Sequence, residues 1–218
     1  MQSGIVPLDH HLGGIQRGRL HLLTGGAGAG KTTACLQFLQ VALRAGDAAL
    51  LITADRSADV ASHARCVGLQ LESAVRTHRL LVARFGAQFG SNIAAAAPDA
   101  VCAELAALIA EVQPSRIVID PLTPFLGDRP ACTAGLQAVV RLLDSSDAST
   151  IFTYHEDVSA GYDARLHVVV QHAAAVVHMV RGDDGARRMR VVQARWQSAS
   201  PELIPAPVKR TRTRKVTA

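Results

Sequence analysis

The chain predicts an α/β fold: a mostly parallel twisted sheet flanked by helices and closed by a C-terminal antiparallel hairpin. Three observations carry this expectation. Short apolar runs, such as residues 48–53 and Arg116–Asp120, alternate with segments of helical periodicity, the pattern that builds parallel sheets. These runs are apolar throughout rather than at every second residue, as a sheet covered on both faces demands. Near the C-terminal end, residues 176–180 and 188–192 flank Gly182-Asp183-Asp184-Gly185, whose composition marks a hairpin turn.

In chain order, residues 4–18 are punctuated by Gly4, Gly13, Gly14 and Gly18 and lead into a first strand at 20–24. A helix is expected around 33–43, then a turn at Gly46-Asp47 and the strand 48–53. Helical spacing returns over 58–67, and 79–83 reads as a short strand. The alanine-rich stretch 99–112 has Pro98 near its start and Pro114 beyond its end, both signals of a helix. The strand 116–120 follows, then a helix over 134–143 and a strand over 150–154. Pro201, Pro205 and Pro207 precede a basic segment, so the expected division is one domain over 1–204 and a disordered tail over 205–218. The chain has no internal repeat.

Between the first strand and the first long helix lies Gly25-Gly26-Ala27-Gly28-Ala29-Gly30-Lys31-Thr32, matching G-x-x-x-x-G-K-[ST]. Strand, glycine loop and helix are the context this phosphate-cradling motif needs. The glycines let several backbone N–H groups turn inward, and the helix N-terminus adds its positive dipole end. Lys31 is expected on the β- and γ-phosphates, the Thr32 hydroxyl on Mg²⁺, and Thr33 completes the binding set. The chain has three lysines, Lys31, Lys209 and Lys215, and uses arginine elsewhere. Its compact ammonium is thus kept where a phosphate would want one.

Composition sets bounds. At 218 residues with 49% hydrophobic and 4% aromatic content, a single aliphatic core is expected. No apolar run approaches the roughly 20 residues needed to span a bilayer. No secretory leader is visible, and Cys35, Cys66, Cys102 and Cys132 are scattered singly, so a cytoplasmic protein without disulfides is expected. The net charge of +5 resides in the tail, where Lys209, Arg210, Arg212, Arg214 and Lys215 hold five positive charges. The remainder is formally neutral, which argues against a nucleic-acid-binding body. Among nine histidines, none has ligand-like spacing to acids or cysteines.

Asp120 ends the apolar run of its strand, the expected form of an acid that holds Mg²⁺ through water. The strand 150–154 runs into the polar residues His155 and Glu156.

The run Ser3-Gly4-Ile5-Val6-Pro7-Leu8-Asp9, followed by Leu12-Gly13-Gly14, Gly18 and Leu20, then the loop and Phe38-Leu39, resembles the KaiC family of RecA-like ATPases. The similarity continues through residues 116–126 and more weakly to Gln193-Ala194-Arg195. The resemblance implies a RecA-like P-loop NTPase fold and Mg·ATP binding, with a γ-phosphate sensor at the end of the strand 150–154, where His155 or Glu156 could serve. It also implies a homo-oligomer, ring or filament, with ATP at subunit interfaces.

Two departures bear on turnover. The family's paired glutamates after the second strand fall on Asp55 and Arg56, so one carboxylate is a methylene shorter and the other is replaced by a cation. A shorter general base is expected to sit less well against its water. The family's late Lys-x-Arg pair, which reaches a neighbour's γ-phosphate, reads Gln193-Ala194-Arg195, leaving Arg195 as the candidate trans arginine. The leading expectation is a slow oligomeric ATPase acting in regulation or signalling, with Asp55 and Arg195 as catalytic candidates. The alternatives are a catalytically inactive nucleotide-gated module with a protein signalling partner, or a recombinase-like DNA-repair accessory working through the basic tail. Trp196 is expected to serve packing or a subunit contact.

Overall fold

A computed structural model describes residues 1–85, 98–123, 126, 130–156, 166–196 and 203–205. The described strands form one eight-stranded sheet in the order β3-β2-β4-β5-β1-β6-β7-β8. These are β1 (Leu20–Gly25), β2 (Ala49–Thr53), β3 (Leu80–Arg84), β4 (Arg116–Asp120), β5 (Ser149–His155), β6 (Ala175–Arg181), β7 (Arg187–Ala194) and β8 (Ile204–Pro205). The first six are mutually parallel, while β7 and β8 pair antiparallel at one edge. The expected α/β sheet with its C-terminal hairpin is therefore present. The pairing of Pro205 with Arg188 carries the sheet one residue beyond position 204. The basic tail from 206 onward, with Pro201 and Pro207, lies outside the described residues.

The helices are α1 (Val6–Leu12), α2 (Lys31–Ala45), α3 (Ser57–Cys66), α4 (Glu72–Arg76), α5 (Pro98–Val112), α6 (Pro130–Asp144) and α7 (His167–His172). None of them is long and apolar enough to cross a membrane. Strand alternation divides the core in two. Leu23, Leu51, Val118, Ile151 and Val177 face one way and pack with Phe38 and Leu39 of α2. Leu22, Ile117, Ile119 and Phe152 face the other way and pack with Leu136, Val139 and Val140 of α6. Strands β1 and β2 are buried along their whole length, whereas β7 alternates, as an antiparallel strand near an edge should.

The sequence reading passed over α1, α4, α7 and β8. The α1 signals are present: Pro7 in the first turn, and Gly13 at φ 67° closing the helix in the left-handed region. In the sequence they are masked by the glycines on either side. Asp9 ties the segment down, its carboxylate accepting from the N–H groups of Ser3 (2.7 Å) and Gly4 (3.0 Å).

Arg116, the first residue of β4, is only 4% exposed. Its guanidinium donates to the carbonyls of Gln2 (2.6 Å), Ser3 (3.1 Å) and Phe38 (2.7 Å) and lies 4.5 Å from the Phe38 ring centroid. One buried cation thus pins the N-terminal segment to α2. Burial draws its pKa down to about 10, with Asp9 and Asp47 opposing, so it stays charged at neutral pH.

His21 on β1 is also buried. Its Nε2 lies 3.1 Å from the Gln16 carbonyl, which makes it the donor, and its Nδ1 has no hydrogen-bond partner. Trp196 packs edge-on to it, with ring centroids 6.2 Å apart, in line with the packing role expected for that indole. Burial pushes the His21 pKa down to about 4 from 6.5. Protonation would place an unpartnered N–H and a charge in the core, so the unfolded chain binds the proton more readily. This contribution to stability is complete above pH 6.5 and is lost as the pH falls toward 4. Between pH 7 and 4.5 the loss amounts to about 2–3 kcal/mol. Urea midpoints of wild type and His21→Gln at the two pH values measure it, and a pH dependence equal in both proteins would refute it.

Candidate functional site

The loop that follows β1 begins with a backbone constraint. Gly25 stands level with Met179 on β6, and a Cβ built on it would lie 2.0 Å from the Met179 carbonyl oxygen. Its φ of +138° is equally closed to other residues. Only glycine lets β1 turn into the loop while still paired to β6. Gly30, at φ 103°, is the N-cap of α2, so Lys31 is the first helical residue and the loop lies over a helix N-terminus.

Lys31 is buried beneath this loop. Its ammonium donates to the Gly25 carbonyl at 2.5 Å and the Gly26 carbonyl at 2.8 Å. Burial lowers its pKa, while the fields of the Asp120 and Glu156 carboxylates act to raise it. The two carboxylates that support this cation come from the ends of β4 and β5. Because β5 lies between β1 and β4, Asp120 faces the loop across one strand. The Thr153 hydroxyl of β5 donates to Asp120 Oδ1 and orients it. Thr33 is buried on the first turn of α2, its hydroxyl 3.2 Å from His63 Nε2 on α3. Cys35, one turn on from Lys31, is fully buried, and burial raises its thiol pKa well above the usual value, which makes it the inert small hydrophobe expected.

Asp55 sits two residues beyond Thr53, which pairs with Asp120 across β2 and β4. It is exposed, with its backbone N–H donating to the Thr53 hydroxyl at 3.2 Å. Asp55, just beyond β2, and Asp120, at the end of the neighbouring β4, therefore share the loop's end of the sheet. Arg56 caps the start of α3.

Arg195 lies at the other end. It follows β7, its N–H donates to the Ala174 carbonyl at 2.9 Å, and its guanidinium donates to the carbonyls of Ala173 (3.0 Å) and Gln171. Ala175 is level with His21, and Met179 with Gly25. Four residues of strand, about 13 Å, thus separate that end from the loop. Arg195 does not reach its own chain's loop.

Two arginines that the motif reading did not single out do reach it. Arg187 Nε donates to the Gly28 carbonyl at 2.9 Å, and a Cβ on Gly28 would stand 3.4 Å from Arg181 Nη1. Both flank the hairpin turn Gly182-Asp183-Asp184-Gly185. The neighbouring Arg188 is held instead by Asp184, at 2.5 and 3.1 Å. Their signal was in the sequence only as a basic hairpin; the β1–β6 pairing brings that hairpin onto the loop.

Among the described residues, no three His, Cys, Asp or Glu side chains converge on a metal position. The hard oxygens on offer are the Thr32 hydroxyl and the Asp120 carboxylate, which suits a divalent cation that arrives with phosphates and keeps its waters.

No curated protein matches the chain. The family described as "ATPase: KaiC" matches residues 1–216, nearly the full length. With a mostly parallel sheet, a glycine loop closed over a buried lysine and a carboxylate one strand away, the chain belongs to the KaiC family of RecA-fold P-loop ATPases.

Proposed function

We propose that the protein binds Mg·ATP through Gly25 to Thr33 and hydrolyses it slowly, as an oligomer whose nucleotide state serves a regulatory role. The observation that supports this most directly is Lys31, buried under the loop and facing the fields of two carboxylates. On phosphate binding, its ammonium exchanges two loop carbonyls for phosphate oxygens, which are better acceptors for a charged donor. Thr32 and Asp120 would hold Mg²⁺, with Thr153 fixing the orientation of Asp120. Bound there, the cation neutralises charge that develops on the phosphate oxygens.

Asp55 accepts the proton of the attacking water in this reading. An aspartate reaches less far than the family's glutamate, and it is exposed rather than fixed, so turnover is slow. Arg195, held at the far end of the sheet in its own chain, would act only on a neighbour's phosphates, which ties catalysis to assembly. The second reading, a nucleotide-gated module without turnover, is favoured by Arg56 standing in place of the second glutamate.

Steady-state phosphate release with Mg·ATP separates the two, comparing wild type, Asp55→Ala and Asp55→Glu at matched concentration. General-base contributions are typically 10²–10⁴-fold, so Ala should cost at least about tenfold and Glu should raise turnover by about tenfold. Wild type that binds ATP but releases no phosphate would instead establish the inactive module.

A further inference from the structure

The hairpin that meets the phosphate loop is itself braced. Arg181 ends β6 and stands level with Arg187, the first residue of β7. In the turn between them the Gly182 N–H donates to the Ala186 carbonyl at 2.8 Å, and the Asp184 carboxylate accepts from the Ala186 N–H at 2.9 Å. Asp184 also holds the Arg188 guanidinium, so Arg187 is the arginine left to turn toward the loop. Two residues back on β6, Met179 is level with Gly25, which sets hairpin and loop in one frame.

Arg187 is half-buried and lies across the second half of the loop. Its Nε donates to the Gly28 carbonyl at 2.9 Å, and a Cβ built on Gly30 would stand 3.1 Å from its Cδ. The carbonyl and N–H of one trans peptide unit point opposite ways. With the Gly28 carbonyl held by Arg187, the Ala29 N–H of the same unit turns back into the loop, toward the Gly26 carbonyl at 3.4 Å. Lys31 braces the loop from beneath, through the carbonyls of Gly25 and Gly26.

The two cations differ in what a ligand does to them. When the ammonium moves to a phosphate, Gly25 keeps the N–H of Glu156 at 3.2 Å and Gly26 keeps that of Ala29. The hold on Gly28 comes from a different element and is not exchanged. Without it that carbonyl is free to swing inward, where its negative end would oppose an anion.

We propose that Arg187 is a positioning residue, a clasp that keeps the Gly28 carbonyl turned out of the phosphate site, so that the loop holds one shape before a nucleotide arrives and after Lys31 lets go of it. The phosphate part of this rests on the Mg·ATP reading above. Arg187 acts through the Gly28 backbone and not on the ligand. A loop that is in its competent shape only part of the time binds every ligand more weakly by that same fraction. Diphosphate and triphosphate therefore suffer alike when the clasp is removed.

Two substitutions separate the hydrogen bond from the charge. Arg187→Met keeps a stem across Gly30 and supplies no donor. Arg187→Gln places an uncharged amide nitrogen at the same point along the side chain as Nε. Calorimetric titration of the full chain with Mg·ADP and with Mg·ATPγS should show Arg187→Met weakened about tenfold toward both, and Arg187→Gln within about threefold of wild type. Hydrogen exchange of the nucleotide-free chain should be faster in Arg187→Met over the peptide spanning residues 25–31 and restored in Arg187→Gln, with peptides from α6 unchanged as a check on the fold. An Arg187→Met affinity within about twofold of wild type, an Arg187→Gln as weak as Arg187→Met, or loop exchange the same in all three proteins would overturn the clasp. Wild type that binds neither nucleotide would overturn the Mg·ATP reading, while the exchange rates still decide whether Arg187 holds the loop.

Discussion

Lys31→Ala abolishes measurable nucleotide binding, raising the dissociation constant for Mg·ATP by at least about 100-fold. Each hydrogen bond from a charged donor contributes about 1.5–3 kcal/mol, and every 1.4 kcal/mol is tenfold in affinity. An ammonium shared between two phosphate groups therefore carries two or more decades. The substitution also removes the donor that the Gly25 and Gly26 carbonyls share, so the loop loses part of its own support. Lys31→Arg should fail nearly as badly, because a planar guanidinium does not fit a space built for a point charge under the loop. Equilibrium dialysis with labelled ATP measures the effect, and circular dichroism checks that the fold persists. An affinity within about threefold of wild type would defeat the assignment of the phosphate site.

The second large effect concerns stability. Arg116→Ala should destabilise the fold by about 3–5 kcal/mol, the range seen when a buried charged network loses its donor. Three carbonyls, of Gln2, Ser3 and Phe38, lose the guanidinium that serves them, and the Phe38 ring loses its cation. Arg116→Met separates packing from donation. It keeps the stem's volume but supplies no N–H group, so it should recover at most a minor part of the loss. Urea unfolding monitored by Trp196 fluorescence reads both variants. A loss below about 1 kcal/mol would mean that the carbonyls find water or other donors, and that the N-terminal segment is not pinned from β4. Phe38 and Lys31 share α2, so loosening here should also weaken nucleotide binding modestly.

Much of the fold was readable in the chain because its signals are local. Continuous apolar runs made β2 and β4 recognisable, and the glycine loop announced β1 and α2 on either side of it. The elements passed over are those whose stability is not local. β8 is two residues long and exists only because Met189 and Arg188 stand ready to pair with it. Helices α4 and α7 are five and six residues long, too short for periodicity to register. Helix α1 carried its end signals, but four glycines in fifteen residues obscured them.

The phosphate site divides along the same line. The sequence by itself determined the loop, Lys31, Thr32 and the acid at the end of β4, because each is written as a contiguous motif whose chemistry follows from residue type and spacing. Only the tertiary structure decided what surrounds them. Strand order placed β5 between β1 and β4, which set Thr153 on Asp120 and Glu156 near Lys31. The β1–β6 pairing brought His178 to Thr24 and the hairpin arginines to Gly28, while it left Arg195 at the opposite end. The physical reason is that spacing along a chain constrains neighbours within one element, whereas contacts between strands depend on their order and register, which are fixed by burial of the whole sheet.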